Sequence, residues 1–161
     1  MKSLLRNKYF WCVFITMVVA SFFMYRNINS NALFKYLEQV WNVHLPVASV
    51  QTAASYNLDD YYDVIDYSQD EDSYKELQSQ NFWSKGHERL PLLFESLKDH
   101  ILSFYEKDGE EYSKLNQQFK AQPLQLSTST LYYYKQLRNH SRLMMIADNE
   151  SKMVHVLRLM Y

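Results

Sequence analysis

The side chains able to do chemistry in this chain are plentiful but badly spaced for it. Five histidines, His44, His87, His100, His140 and His155, are scattered over 161 residues without paired helical spacing, and Cys12 is the only cysteine. A zinc centre of imidazoles and thiolates therefore has no ligand set to draw on. His87 is followed by Glu88, but the second histidine of a metalloprotease helix is missing. Asp59, Asp60, Asp63, Asp66, Asp70, Glu71 and Asp72 crowd one stretch. A calcium loop needs alternate oxygen ligands around a central glycine. This stretch has tyrosines and no glycine, so a solvated acidic edge is predicted. Serines abound, yet Gly86 and Gly109 are the only glycines, which excludes glycine-rich phosphate loops, dinucleotide fingerprints and a nucleophile elbow. The expectation is a protein that is not an enzyme and uses no cofactor or metal. A periplasmic hydrolase is the weakest of the function classes.

Composition points instead to surfaces. Aromatic residues make up 16% of the chain, led by fourteen tyrosines, a residue suited to interfaces and half-wet cavities and also to strand surfaces. The formal net charge is −1 and no Lys/Arg cluster stands out beyond the N-terminus, so no direct nucleic-acid contact is expected.

The first apolar run, 9–25, contains no charge. Lys2, Arg6 and Lys8 precede it and only Arg26 follows closely, which by the positive-inside bias keeps the start in the cytoplasm and exports the rest. About 17 to 20 helical residues just span a hydrocarbon core. The organisation predicted is a cytoplasmic tail 1–8, an inner-membrane anchor 9–25, a spacer 26–30 and a periplasmic α+β domain 31–161. A cleaved signal is the alternative: Val18 and Ala20 precede Ser21, although Phe22, Phe23, Met24 and Tyr25 prolong the apolar character. Either way the remainder reaches the same side. Cys12 reads as a lipid-facing thiol, and the exported part, lacking cysteine, cannot be stapled by disulfides.

In the exported part, Leu33, Phe34, Leu37, Val40 and Trp41 predict a helix over 31–43, ended by Pro46. Residues 47–56 and 61–67 read as strands of a hairpin, with Tyr61, Ile65 and Tyr67 on one face and Tyr62 and Val64 on the other. Ser68 and Glu71 resemble a capping box for a helix over 70–83, and Gly86 suits the break after it. Pro91 opens the clearest helix, striped by Leu90, Phe94, Leu97, Ile101 and Phe104, with Asp108 and Gly109 closing it. Residues 110–122 are ambiguous, a helical turn around Tyr112, Leu115 and Phe119 being one reading. Four β-rich runs follow at 124–128, 131–138, 142–148 and 152–161, joined too briefly for anything but an antiparallel meander.

The last run is apolar on both faces, so each face needs a cover. The Pro91 helix supplies one. The other would face a second sheet, a barrel interior or another protein. About six strands are fewer than the eight that commonly close a small barrel. The predicted fold is therefore α+β, with about three helices packed on an antiparallel partial β-barrel that a partner chain completes.

The short cytoplasmic start, single anchor, cysteine-free domain and tyrosine- and methionine-rich ending LYYYKQLRNHSRLMMIADNESKMVHVLRLMY together resemble the VtrC family. These are small membrane-anchored partners of membrane-bound, ToxR-type (VtrA-like) transcription regulators in vibrios. The resemblance runs over the whole chain and rests on no single signature motif. It implies a lipocalin-like β-barrel assembled as an obligate heterodimer with the regulator's periplasmic domain. It also implies an apolar cavity for bile salts and output to virulence genes, including type III secretion. Residues of suitable type for such a cavity are Tyr132, Tyr134, Leu143, Met145, Met153, His155 and Leu157. Methionine adapts to irregular apolar shapes, and tyrosine bonds a hydroxyl or sulfonate. For each, plain core packing is the competing role. The competing function is a single-pass scaffold of an envelope or secretion complex without a small-molecule ligand.

Overall fold

The computed structural model describes residues 11, 13–18, 32–56, 60–107, 109–121 and 123–161, with backbone alone over 51–56 and 60–61. The tail 1–8, the spacer 26–30 and most of the anchor 9–25 lie outside these residues. Residues 13–18 are helical and exposed, and among the described residues no helix is long and apolar enough to cross a membrane.

Helix α1 spans 32–41. Asn42, at φ 56°, ends it: the amides of Asn42 and Val43 donate to the carbonyls of Glu38 and Leu37, the paired bonds of a Schellman cap. Asparagine tolerates this left-handed geometry, so the helix stops well before Pro46, the stop predicted from sequence. The hairpin follows as β1 (Ser49–Tyr56) and β2 (Asp60–Asp66), with a register shift between Thr52 and Ala54. Helix α2 (Glu71–Gln78) is shorter than predicted, and its cap is Asp70 rather than Ser68. The Asp70 carboxylate accepts from the backbone amide and hydroxyl of Ser73, and these donors hold it below the usual carboxylate range.

A two-residue strand, β3 (Ser84–Lys85), leads past Gly86 into α3 (Leu90–Phe104). Gly109 does not close α3. It opens a second full helix, α4 (Gly109–Ala121), where Glu110 and Glu111 pair with Lys114. The predicted strand at 124–128 is absent. That segment stays off the sheet, and β4 (Leu131–Gln136), β5 (Arg142–Asp148) and β6 (Met153–Leu159) complete it.

All pairings are antiparallel, in the order β1-β2-β6-β5-β4-β3, giving an open six-stranded sheet. Because β6 sits in its middle, both its faces are buried. On one face Val154 and Val156 pack with Leu37 and Trp41 of α1 and Leu77 of α2. On the other Leu157 and Leu159 pack with Phe94, Leu97 and Ile101 of α3 and Leu115 and Phe119 of α4. The expectation that the second face of β6 meets a second sheet, a barrel interior or another protein is therefore corrected: α1 and α2, from the same chain, cover it.

One acidic residue of the crowded stretch is not solvated. Asp63, 2% exposed on β2, accepts from Nη2 of Arg158 on β6 at 2.6 Å, and Arg158 is 8% exposed. Asp70, Glu71 and Asp72 are exposed as predicted. Tyr36 of α1 lies over the guanidinium at 5.0 Å, and its hydroxyl reaches the sulfur of Met160 at 2.9 Å. The pair thus joins β2, β6 and α1. Removing one partner strands a buried charge, so Asp63→Leu is expected to cost about 3–5 kcal/mol in urea unfolding. Asp63→Leu combined with Arg158→Met should regain most of that loss. A single variant as stable as the parent would contradict this account.

Candidate functional site

On the α3/α4 face aromatic, apolar and cationic side chains converge at a cleft. Near the end of α4, Phe119 stacks on the ring of Tyr62 from β2, centroids 4.5 Å apart and planes at 17°. Phe94 of α3 meets Phe119 edge to face at 6.3 Å. The Tyr62 hydroxyl lies 2.7 Å from Nδ1 of His155, and both residues are buried. Burial drives the imidazole down to about 4, against a weaker opposing pull from Asp148, and pushes the phenol up. Near neutral pH the two share a neutral hydrogen bond. Neither group is poised to exchange protons there.

Above this floor lies a cleft of about 470 Å³, walled by Phe94, Phe119, Pro91, Pro123, Leu124 and Leu126, with Glu95, Lys98 and Lys120 at its rim. Lys98 pairs with Glu95 on the same helix and lies 6.0 Å from the Phe94 ring centre. Lys120 is exposed. A second cleft, about 390 Å³, lies on the other side of residues 124–126. It is lined by hydroxyls of Ser127, Ser129 and Thr130, by Ile146, and by the β5–β6 turn. Among the described residues no group of three or more side chains is arranged to hold a metal ion.

No family model, curated protein or solved structure matches the chain. The site must be read from its own geometry.

The seven residues singled out from sequence do not form one site. Tyr132, Tyr134 and Met153 are half-buried and His155 and Leu157 buried on the α3/α4 side. Leu143 and Met145 are fully buried on the opposite side, against α1 and α2. The correction is one of phase on β5. Tyr132 pairs with Ile146 and Tyr134 with Met144, so Ile146 and Met144 share their face. A strand reading LMMIA is apolar at every position, and alternation cannot say which set faces which way. None of the seven lines either cleft; His155 bonds to Tyr62, which does line the larger one.

Sequence reasoning missed Lys98, Lys120, Leu124 and Leu126, and took Tyr62, Phe94 and Phe119 only as face or stripe residues. The available signal was the conjunction of an apolar stripe on α3 with a second one, Leu115 and Phe119, in a segment read as ambiguous.

Because the folded pKa of His155 lies below its unfolded value, the unfolded chain binds the proton more readily. The resulting stability is fully present above about pH 6.5 and is lost as pH falls toward about 4. His155→Gln is expected to flatten this part of the stability profile, a change on the order of 2–3 kcal/mol between those limits by urea titration. Identical slopes for parent and variant would refute the assignment.

Proposed function

We propose that this chain is the periplasmic co-receptor of a bile-salt-sensing pair, tethered to the inner membrane by its N-terminal run. The observation that carries the reading is the cleft: an aromatic floor of Tyr62, Phe94 and Phe119 edged by Lys98 with its partner Glu95, and by Lys120. A bile salt is a rigid apolar steroid with one anionic end. It would lay its ring system on the aromatic floor and its carboxylate or sulfonate at the lysines.

The partner in this reading is a membrane-bound, ToxR-type transcription regulator. β1 supports a route for its engagement: as the edge strand its outer backbone groups pair with no strand among the described residues, and SVQTAASY contains neither charge nor proline to discourage addition. Strands from the regulator would extend the sheet toward a lipocalin-like barrel shared by the two chains. Output to virulence genes, type III secretion among them, would pass through the regulator. Bile salt acts by favouring one state of the joint complex, to the extent that it binds that state more tightly.

Calorimetry of the full chain in lipid nanodiscs, with and without the regulator, tests this reading. Taurodeoxycholate is expected to bind, and Lys98→Gln and Lys120→Gln each to weaken binding about fivefold. Phe119→Ala should weaken it further. A stable complex that gives no heat with any bile salt would instead favour a scaffold.

A further inference from the structure

Residues 123–130 have the sequence of a strand and the position of a strap. Leu124 and Leu126 are half-buried against the α3/α4 core, while Pro123, Gln125 and Ser127 are exposed. Those two leucines wall both clefts, so the segment is the partition between them. Apart from one bond to Gly86, its hydrogen bonds among the described residues are made within itself: Leu126 amide to Leu124 carbonyl, Ser127 amide to Thr130 hydroxyl, Thr130 amide to Ser127 carbonyl, Thr130 hydroxyl to Gln125 carbonyl. One end is clamped. The Gly86 amide donates to the Thr130 carbonyl at 2.7 Å, and a Cβ on Gly86 would stand 2.0 Å from the Ser127 carbonyl oxygen. Residues 124–126, by contrast, are held to the core by two leucine side chains, with one 3.4 Å bond from the Thr130 hydroxyl to the Gln125 carbonyl.

We propose that residues 123–127 form a hinged partition that lifts as an arch between Pro123 and the Gly86-clamped Ser127, joining the two clefts into one trough. Lifting breaks no ladder hydrogen bond; it gives up the contacts of Leu124 and Leu126 and the 3.4 Å bond from the Thr130 hydroxyl to the Gln125 carbonyl, so it is an opening well below global unfolding. It uncovers Ile146 and removes the wall between the aromatic floor and the hydroxyls of Ser127 and Thr130, which stay at the clamped end. An amphipathic ligand longer than the larger cleft would then find apolar, cationic and hydroxyl surface along a single channel. The use made of the opening rests on the ligand reading above. The opening itself does not.

The test is native-state thiol labelling of the full chain in nanodiscs, without ligand, in a Cys12→Ser background. Ile146→Cys lies under the arch and Met145→Cys lies on the opposite face beneath α1 and α2. The arch is expected to make Ile146→Cys react with maleimide at least about tenfold faster than Met145→Cys. Adding Leu124→Ser and Leu126→Ser should speed Ile146→Cys further and leave Met145→Cys unchanged. Equal rates for the two thiols overturn the proposal. Should Ile146→Cys fail to fold, the Leu124→Ser/Leu126→Ser variant alone decides. Several-fold higher anilinonaphthalene sulfonate emission with Tm within about 5 °C of the parent supports the arch, and unchanged emission overturns it. Taurodeoxycholate calorimetry stands apart: absent heat with fast Ile146→Cys labelling removes the ligand reading and keeps the arch.

Discussion

A strand that is apolar on both sides has to be covered twice, and the rest of this structure follows from how β6 meets that requirement. Helices α1 and α2 seal one side, α3 and α4 the other, and β2 and β5 occupy its two hydrogen-bonding edges. The hydrophobic term is indifferent to direction, so it fixes the layering but not the register. Register is set where polarity intrudes: the Asp63–Arg158 pair on one side and the Tyr62–His155 hydrogen bond on the other lock β2 against β6 at two points. A one-residue slip would send each of these partners to the wrong face.

Much of the architecture was legible because it is periodic. The α3 stripe, the opposite facing of Ile65 and Tyr62 on β2, and the antiparallel pairing of the last three runs can all be read from spacing. What escaped reading was governed by contacts at a distance. The alternating leucines of LQLST look like a strand, yet β3 occupies the adjoining edge of β4 and leaves them to lie across a helix-covered face. Gly109 has the composition of a stop, but two glutamates behind it favour a helix start through the macrodipole and their bonds to Lys114.

The site was the least legible part, for a geometric reason. It is assembled from β2, α3, α4 and the strap, elements separated by tens of residues, and no local motif marks the convergence. Residue type identified tyrosines and methionines on the terminal strands, but their side chains are largely spent on core packing. The exposed chemistry belongs to the helices, where Lys98 and Lys120 look like ordinary solubilising charges until the fold brings them to one rim.

The pairing of β2 with β6 has a kinetic cost as well as a structural role. Tyr62 and Leu157 are register partners although nearly the whole domain separates them along the chain. A nascent polypeptide can form its helices and its first hairpin early, but must hold them without a middle until β6 arrives. Such high contact order slows folding and prolongs the exposure of greasy intermediates. The domain should therefore lean on holdase chaperones during its biogenesis more than a helical bundle of equal size would.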